Sequence, residues 1–96
     1  MKEIKIGLIG FGVVGEGVYQ VVSQSPSLRA TIQKIAIKQT YKVRNAPAHL
    51  FTNNVHDVLD DENIDIIVEL IDDAEAAYTY VTKAILNGKH VVSANK

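Results

Sequence analysis

A chain of 96 residues, 47% hydrophobic and 22% charged, has the size of one small domain and enough apolar side chains for a core, which argues against disorder. Its formal net charge of −1 gives no general attraction to nucleic acid or to an anionic membrane, and the lack of cysteine excludes disulfides and thiolate metal sites. No stretch approaches the ~20 apolar residues of a membrane span, and the N-terminal apolar run is broken by Lys5 and Glu16, so it reads as mature structure and not as a signal peptide. The expectation is a cytoplasmic protein of a single domain, residues 1–96, with no room for a separate substrate domain.

In chain order, residues 4–9 form a short apolar run that predicts a buried strand ending at Gly10. From Val13 onward, Val14, Val18, Val21 and Val22 recur at helical spacing. Between the two sits G-x-G-x-x-G, as Gly10, Gly12 and Gly15. In a dinucleotide site the first glycine permits a tight turn, the second lets backbone approach a pyrophosphate, and the third lets helix pack closely on strand. The helix N-terminus adds unpaired N–H groups and a partial positive charge for phosphate. Glycines also make ordinary turns; what strengthens the cofactor reading is the position, directly between an apolar strand and an amphipathic helix.

Ser23-Gln24-Ser25-Pro26-Ser27 ends the first helix, and residues 32–37 predict the second strand. Residues 39–48 are polar, basic and closed by Pro47, which reads as a loop or a broken helical turn. Residues 49–52 are a candidate short third strand, after which Asn53 or Asn54 can cap a brief helix through Leu59. Residues 64–71 are a near-continuous Ile/Val/Leu run, as expected of a parallel strand buried on both faces. Asp72 followed by Glu75 predicts a capping-box variant, opening a helix through Asn87 with Ala77, Val81, Ala84 and Ile85 on one stripe and Gly88 as its stop. Residues 89–93 predict the last strand. Strand–helix alternation with short connections implies an α/β, doubly wound, three-layer fold with a mainly parallel sheet, in the Rossmann-type order 3-2-1-4-5.

Two segments point to a family. Ile6-Gly7-Leu8-Ile9-Gly10-Phe11-Gly12-Val13-Val14-Gly15 resembles the nucleotide loop of homoserine dehydrogenases. Ile66-Ile67-Val68-Glu69-Leu70-Ile71, with Gly88-Lys89-His90-Val91-Val92-Ser93-Ala94-Asn95-Lys96, is similar to that family's fourth strand and to its fifth-strand A-N-K motif. The resemblance implies the NAD(P)-binding half of an oxidoreductase of amino-acid biosynthesis that interconverts homoserine and aspartate semialdehyde by hydride transfer. It implies cofactor contacts at Gly10, Phe11, Gly12, Val13, Val14 and Gly15, and a lysine of the A-N-K motif, here Lys96, that manages the alkoxide proton. A second lysine and the sixth strand of the family's sheet belong to chain not present here, so this chain alone is expected to lack full activity. Two departures stand out: Asp72-Asp73 replaces the usual Gly-Gly after the fourth strand, and Lys38-Gln39 replaces a frequent basic–acidic pair after the second.

Glucose-fructose-type oxidoreductases are also similar in the fourth and fifth strands, but end the fifth with E-K-P where this chain has A-N-K. A stand-alone, non-catalytic dinucleotide-binding module is the third reading, favoured by length and opposed by Lys96.

Cofactor choice follows from the residues after the second strand. An NAD site needs a carboxylate about 20 residues beyond the glycine loop to hold the ribose 2′-hydroxyl, yet none occurs between Glu16 and Asp57. Lys38 and Arg44 are there instead and suit a 2′-phosphate, so NADP(H) is expected over NAD(H). Asp72 and Asp73 read first as helix caps, and beside a pyrophosphate their charge would disfavour the cofactor. Glu69, at the carboxyl end of a buried strand, reads equally as a site residue or as a carboxylate paired with a backbone N–H or a lysine. His49, His56 and His90 have no metal-ligand spacing, so no metal is expected. A small-molecule substrate is expected only if a second domain supplies its pocket, and the open edge of the fifth strand offers a route to a homo-oligomer.

Overall fold

The computed structural model describes residues 3–38 and 45–93. Five strands form one sheet in the order β3-β2-β1-β4-β5, and each pairing is parallel. The strands are β1 (Ile4–Ile9), β2 (Ala30–Ala36), β3 (Phe51–Thr52), β4 (Ile66–Glu69) and β5 (His90–Ser93). The helices are α1 (Val13–Ser23), α2 (His56–Leu59) and α3 (Ala74–Leu86), with short 3-10 turns at Pro26–Leu28 and Ala48–Leu50.

Helices cover both faces, giving three layers. On one face Leu8, Ile32 and Ile35 bury against Phe11, Val18, Tyr19 and Val22. On the other, Ile9 and Ile67 bury against Val58 and Leu59 of α2 and Ala84 of α3. Parallel strands buried on both faces read as unbroken apolar runs because neither face meets water. Gly7 belongs to this packing: a Cβ there would lie 2.6 Å from Val58 Cγ1 and 2.9 Å from Ile64 Cδ1.

The architecture matches the expected order, while several boundaries and caps differ. β2 begins at Ala30, earlier than expected, because Ile4 pairs with Ala30 across the first ladder. The third strand is shortened to Phe51–Thr52 by the 3-10 turn that precedes it. The N-cap position of α2 falls at Val55, whose backbone is already helical and which offers no side-chain cap; Asn54, one residue earlier, makes the capping bond, its Oδ1 accepting the His56 N–H at 3.0 Å. Asp73, not Asp72, caps α3, accepting from the Glu75 and Ala76 N–H groups at 3.1 Å. Glu75 therefore falls one position short of the place a capping box needs.

The helix stripes are rotated relative to the apolar pattern. On α1, Val18 and Val22 pack inward, whereas Val14 and Val21 are 59% and 60% exposed. The buried side of that helix centres on Gly15 and Val18, so the valines seven residues apart form its outer flank. On α3, Ala77 and Ala84 are buried and Ile85 is turned outward.

Candidate functional site

At the carboxyl end of β1 the chain turns at Gly10, whose φ of +100° is a conformation that residues with a Cβ rarely adopt. The Gly10 N–H still donates to the Ala36 carbonyl at 2.8 Å, so the turn leaves the sheet without losing its last bond. A Cβ on Gly10 would lie 3.2 Å from Ile71 Cγ2 and 3.3 Å from the Leu70 carbonyl carbon. Gly15 is buried, and a Cβ there would meet the Gly10 carbonyl oxygen at 3.0 Å. Gly12 differs from both: nothing lies within 4 Å of where its Cβ would be. Turn, close helix packing and open approach thus fall to Gly10, Gly15 and Gly12 respectively.

Gly12 is also the N-cap of α1 and supplies no side-chain cap, so no side chain occupies the end of that helix. The first-turn N–H groups and the positive end of the helix dipole face an opening rather than a protein acceptor. Phe11 anchors the loop through edge-on contacts with Phe51, at 5.2 Å between centroids, and Tyr19, at 6.3 Å. Val13 and Val14, which open α1, are 91% and 59% exposed.

From this loop a cleft of about 1020 Å³ runs across the carboxyl ends of β1, β2 and β4. Its floor is Ile9, Gly10 and Ala36; Ile37, Lys38, Asn53 and Val55 form one wall, and Leu70 to Asp73, Ala76 and Tyr80 the other. Such a crevice lies where the strand order reverses, here between β1 and β4, the usual ligand position in open α/β sheets. Lys38 is exposed on the β2 side and Asp72 and Asp73 are exposed on the β4 side, so the cleft has a cationic and an anionic wall. Arg44 and Lys96 lie outside the described residues, as do Gln39, Thr40 and Lys42.

Sequence reasoning did not assign Asn53, Val55, Ile71, Ala76 or Tyr80 to the site, yet all line the cleft. The signal was available in principle, since most sit just past the ends of β3 and β4, on the rim where ligands bind. Glu69 has no exposed surface; it accepts the Ile71 N–H at 2.7 Å and the Ser93 hydroxyl at 2.6 Å. Asn45, in the loop after β2, donates to Glu16 in the first turn of α1 at 2.7 Å. Among the described residues no three His, Asp or Glu side chains gather closely enough to hold a metal ion, and no helix is long and apolar enough to cross a membrane.

A parallel sheet with this order, a glycine turn into the first helix and a cleft at the switch point define a Rossmann-type dinucleotide-binding domain. Within that class the chain belongs to the homoserine dehydrogenase NAD-binding domain family, whose model matches residues 10–96. The homoserine dehydrogenase of Methylobacillus glycogenes is 42% identical over the whole of this chain and 26% of its own length. That of Bacillus subtilis is 35% identical over the whole chain and 24% of its own length. A Staphylococcus aureus homoserine dehydrogenase structure superposes with a TM-score of 0.88 at 31% identity, covering 100% of this chain and 26% of that one. The Thiobacillus denitrificans structure gives 0.86 at 40% identity, covering 99% and 24%. The chain thus spans about a quarter of the length of the relatives it matches. These matches favour the homoserine dehydrogenase reading over the glucose-fructose type.

Proposed function

We propose that residues 1–96 are the cofactor domain of an enzyme of amino-acid biosynthesis that interconverts homoserine and aspartate semialdehyde, and that the domain prefers NADP(H) to NAD(H). The observation that carries the dinucleotide reading is the contrast among the glycines. Gly10 and Gly15 are packed against the protein, while Gly12 is open to the cleft at an uncapped helix end. A pyrophosphate suits that opening, with Phe11, Val13 and Val14 beside it and the first-turn N–H groups of α1 as donors. When bound, the nicotinamide gives or takes the hydride. In this reading Lys96 handles the proton of the substrate oxygen, and the substrate pocket is supplied by chain outside these residues. Cytoplasmic location and self-association through the β5 edge are part of the same reading.

The NADP(H) preference rests on charge. With no carboxylate from Gly17 to His56, nothing on the β2 side can hold a ribose 2′-hydroxyl as a carboxylate would, whereas Lys38 and Arg44 can meet a 2′-phosphate. A charge-assisted hydrogen bond is worth about 1.5–3 kcal/mol, roughly 10- to 150-fold in affinity. The test is paired titration of NADPH and NADH by calorimetry against the unsubstituted chain, Lys38→Ala, Arg44→Ala and Gly12→Val. The expected result is tighter NADPH binding, a preference reduced about tenfold or more by Lys38→Ala and less by Arg44→Ala, and loss of both cofactors with Gly12→Val at unchanged melting temperature. Equal affinities would remove the NADP(H) assignment, and an unaffected Gly12→Val variant would remove the dinucleotide site.

A further inference from the structure

Glu69 is a fully buried carboxylate to which the reading above gives no task. Burying a carboxylate is unfavourable unless its oxygens are hydrogen-bonded, so a sequence keeps one in a small core only where the bonds it makes matter. The two oxygens are divided between two segments of the site rim. Oε2 accepts the N–H of Ile71, in the turn between β4 and α3. Oε1 accepts the hydroxyl of Ser93, the parallel ladder partner of Glu69 at the end of β5. The turn held by Oε2 is the surface on which the glycine loop is folded. Ile71 Cγ2 and the Leu70 carbonyl carbon stand 3.2 and 3.3 Å from the Cβ position of Gly10, and Leu70 Cδ1 stands 3.4 Å from that of Gly15. The strand end held by Oε1 leads directly into Ala94-Asn95-Lys96.

We propose that Glu69 is a positioning residue of the cofactor site: its carboxylate clamps the β4–α3 turn to the end of β5, and so fixes the wall against which the glycine loop is shaped. The clamp works through hydrogen bonds and not through net charge. A glutamine satisfies both partners, its carbonyl accepting from Ile71 and its amide donating to a rotated Ser93 hydroxyl. A leucine satisfies neither. The geometry stands apart from function, whereas the consequence for affinity rests on the dinucleotide reading.

The experiment compares Glu69→Gln, Glu69→Leu, Ser93→Ala and the Glu69→Leu/Ser93→Ala double variant. Two readouts are taken: amide hydrogen exchange at Ile71 without ligand, and NADPH titration. Glu69→Gln should retain Ile71 protection and affinity within about twofold, while Glu69→Leu should speed Ile71 exchange and weaken NADPH by about tenfold each. Ser93→Ala, a surface change that leaves the Ile71 bond intact, should weaken NADPH about threefold alone and add nothing to Glu69→Leu, because the shared clamp is already open. The clamp is overturned if Glu69→Leu leaves Ile71 exchange unchanged, if glutamine is as damaging as leucine, or if the two substitutions add independently. An unsubstituted chain that binds no NADPH would instead defeat the dinucleotide reading, and Ile71 exchange would still decide the clamp.

Discussion

At the amino-terminal rim of the sheet, side chains are committed to protein partners. Lys89 Nζ donates to the Asp61 and Ile64 carbonyls at 2.6 and 3.0 Å, and Asn87 donates to the Leu59 carbonyl at 2.7 Å and to Asp60 at 3.0 Å. Asp65 accepts the Lys5 N–H at 2.9 Å, tying the residue before β4 to the start of β1. At the carboxyl-terminal rim the shape is made by glycine backbone, and the end of α1 has no side-chain cap. Both rims carry a hollow, of about 520 Å³ at the amino end and about 1020 Å³ at the carboxyl end. A hollow by itself therefore does not mark the site. The difference lies in the polar groups: around the smaller hollow Lys89, Asn87, Asp60 and Asp65 are bonded within the protein, whereas the helix end at the larger one is available to an anion.

Substitution at Gly10 should give the largest effect, because it couples fold and site. A Cβ at φ +100° is strained and also meets the β4–α3 turn, so Gly10→Ala should cost about 1–3 kcal/mol of stability and abolish dinucleotide binding together. Chemical denaturation with parallel titration measures both. A variant that keeps full stability would mean that the loop can refold around the added carbon. The amino rim should respond in the opposite sense. Lys89→Met keeps the aliphatic stem but leaves the Asp61 and Ile64 carbonyls without that donor, a loss of about 1–3 kcal/mol. Its dinucleotide affinity should stay unchanged; a substantial loss there would show that the two rims are not independent.

How much of this could be read in the sequence depended on how local each cause was. The glycine loop was legible because its spacing is a six-residue motif set between an apolar strand and a helix, although the turn at Gly10 packs on the distant Leu70 and Ile71, and the strand order followed from alternation and handedness. β4 ran shorter than its apolar stretch because the Ile71 N–H turns to the Glu69 carboxylate instead of a neighbouring strand, which no hydrophobicity pattern records. The choice between two adjacent aspartates as cap depended in turn on where that strand stopped. Gly7 was illegible for a different reason. It sits inside a good strand pattern, and only the distant Val58 and Ile64 side chains exclude a Cβ. The outward flank of α1 was not legible because periodicity locates an apolar stripe without saying how the helix is rolled onto the sheet.

The smallest expected effect lies at Asp72 and Asp73, where the cap of α3 and the charge of the cleft overlap. Asp73 both caps α3 and lines the cleft; Asp72 lines the cleft beside it. Replacing both with glycine would mix the two roles, since it removes charge and cap at once. Asparagine separates them, because it caps about as well as aspartate while carrying no charge. Asp72→Asn with Asp73→Asn should therefore leave the melting temperature nearly unchanged. Two unit charges 4 Å apart in water interact by about 1 kcal/mol, and exposed groups at greater distances by less. Removing two carboxylates from the anionic wall should thus tighten NADPH binding about threefold at low ionic strength. Between exposed charges the effect should fade as salt rises, since the screening length drops to about 8 Å at 0.15 M. The measurement is a titration series of the unsubstituted and doubly substituted chains across salt concentrations. Tightening that vanishes with salt places the carboxylate pair within reach of the phosphates. An unchanged affinity at low salt would move the phosphates away from the β4 wall, and a weakened one would make the aspartates contacts of the cofactor instead of its opponents.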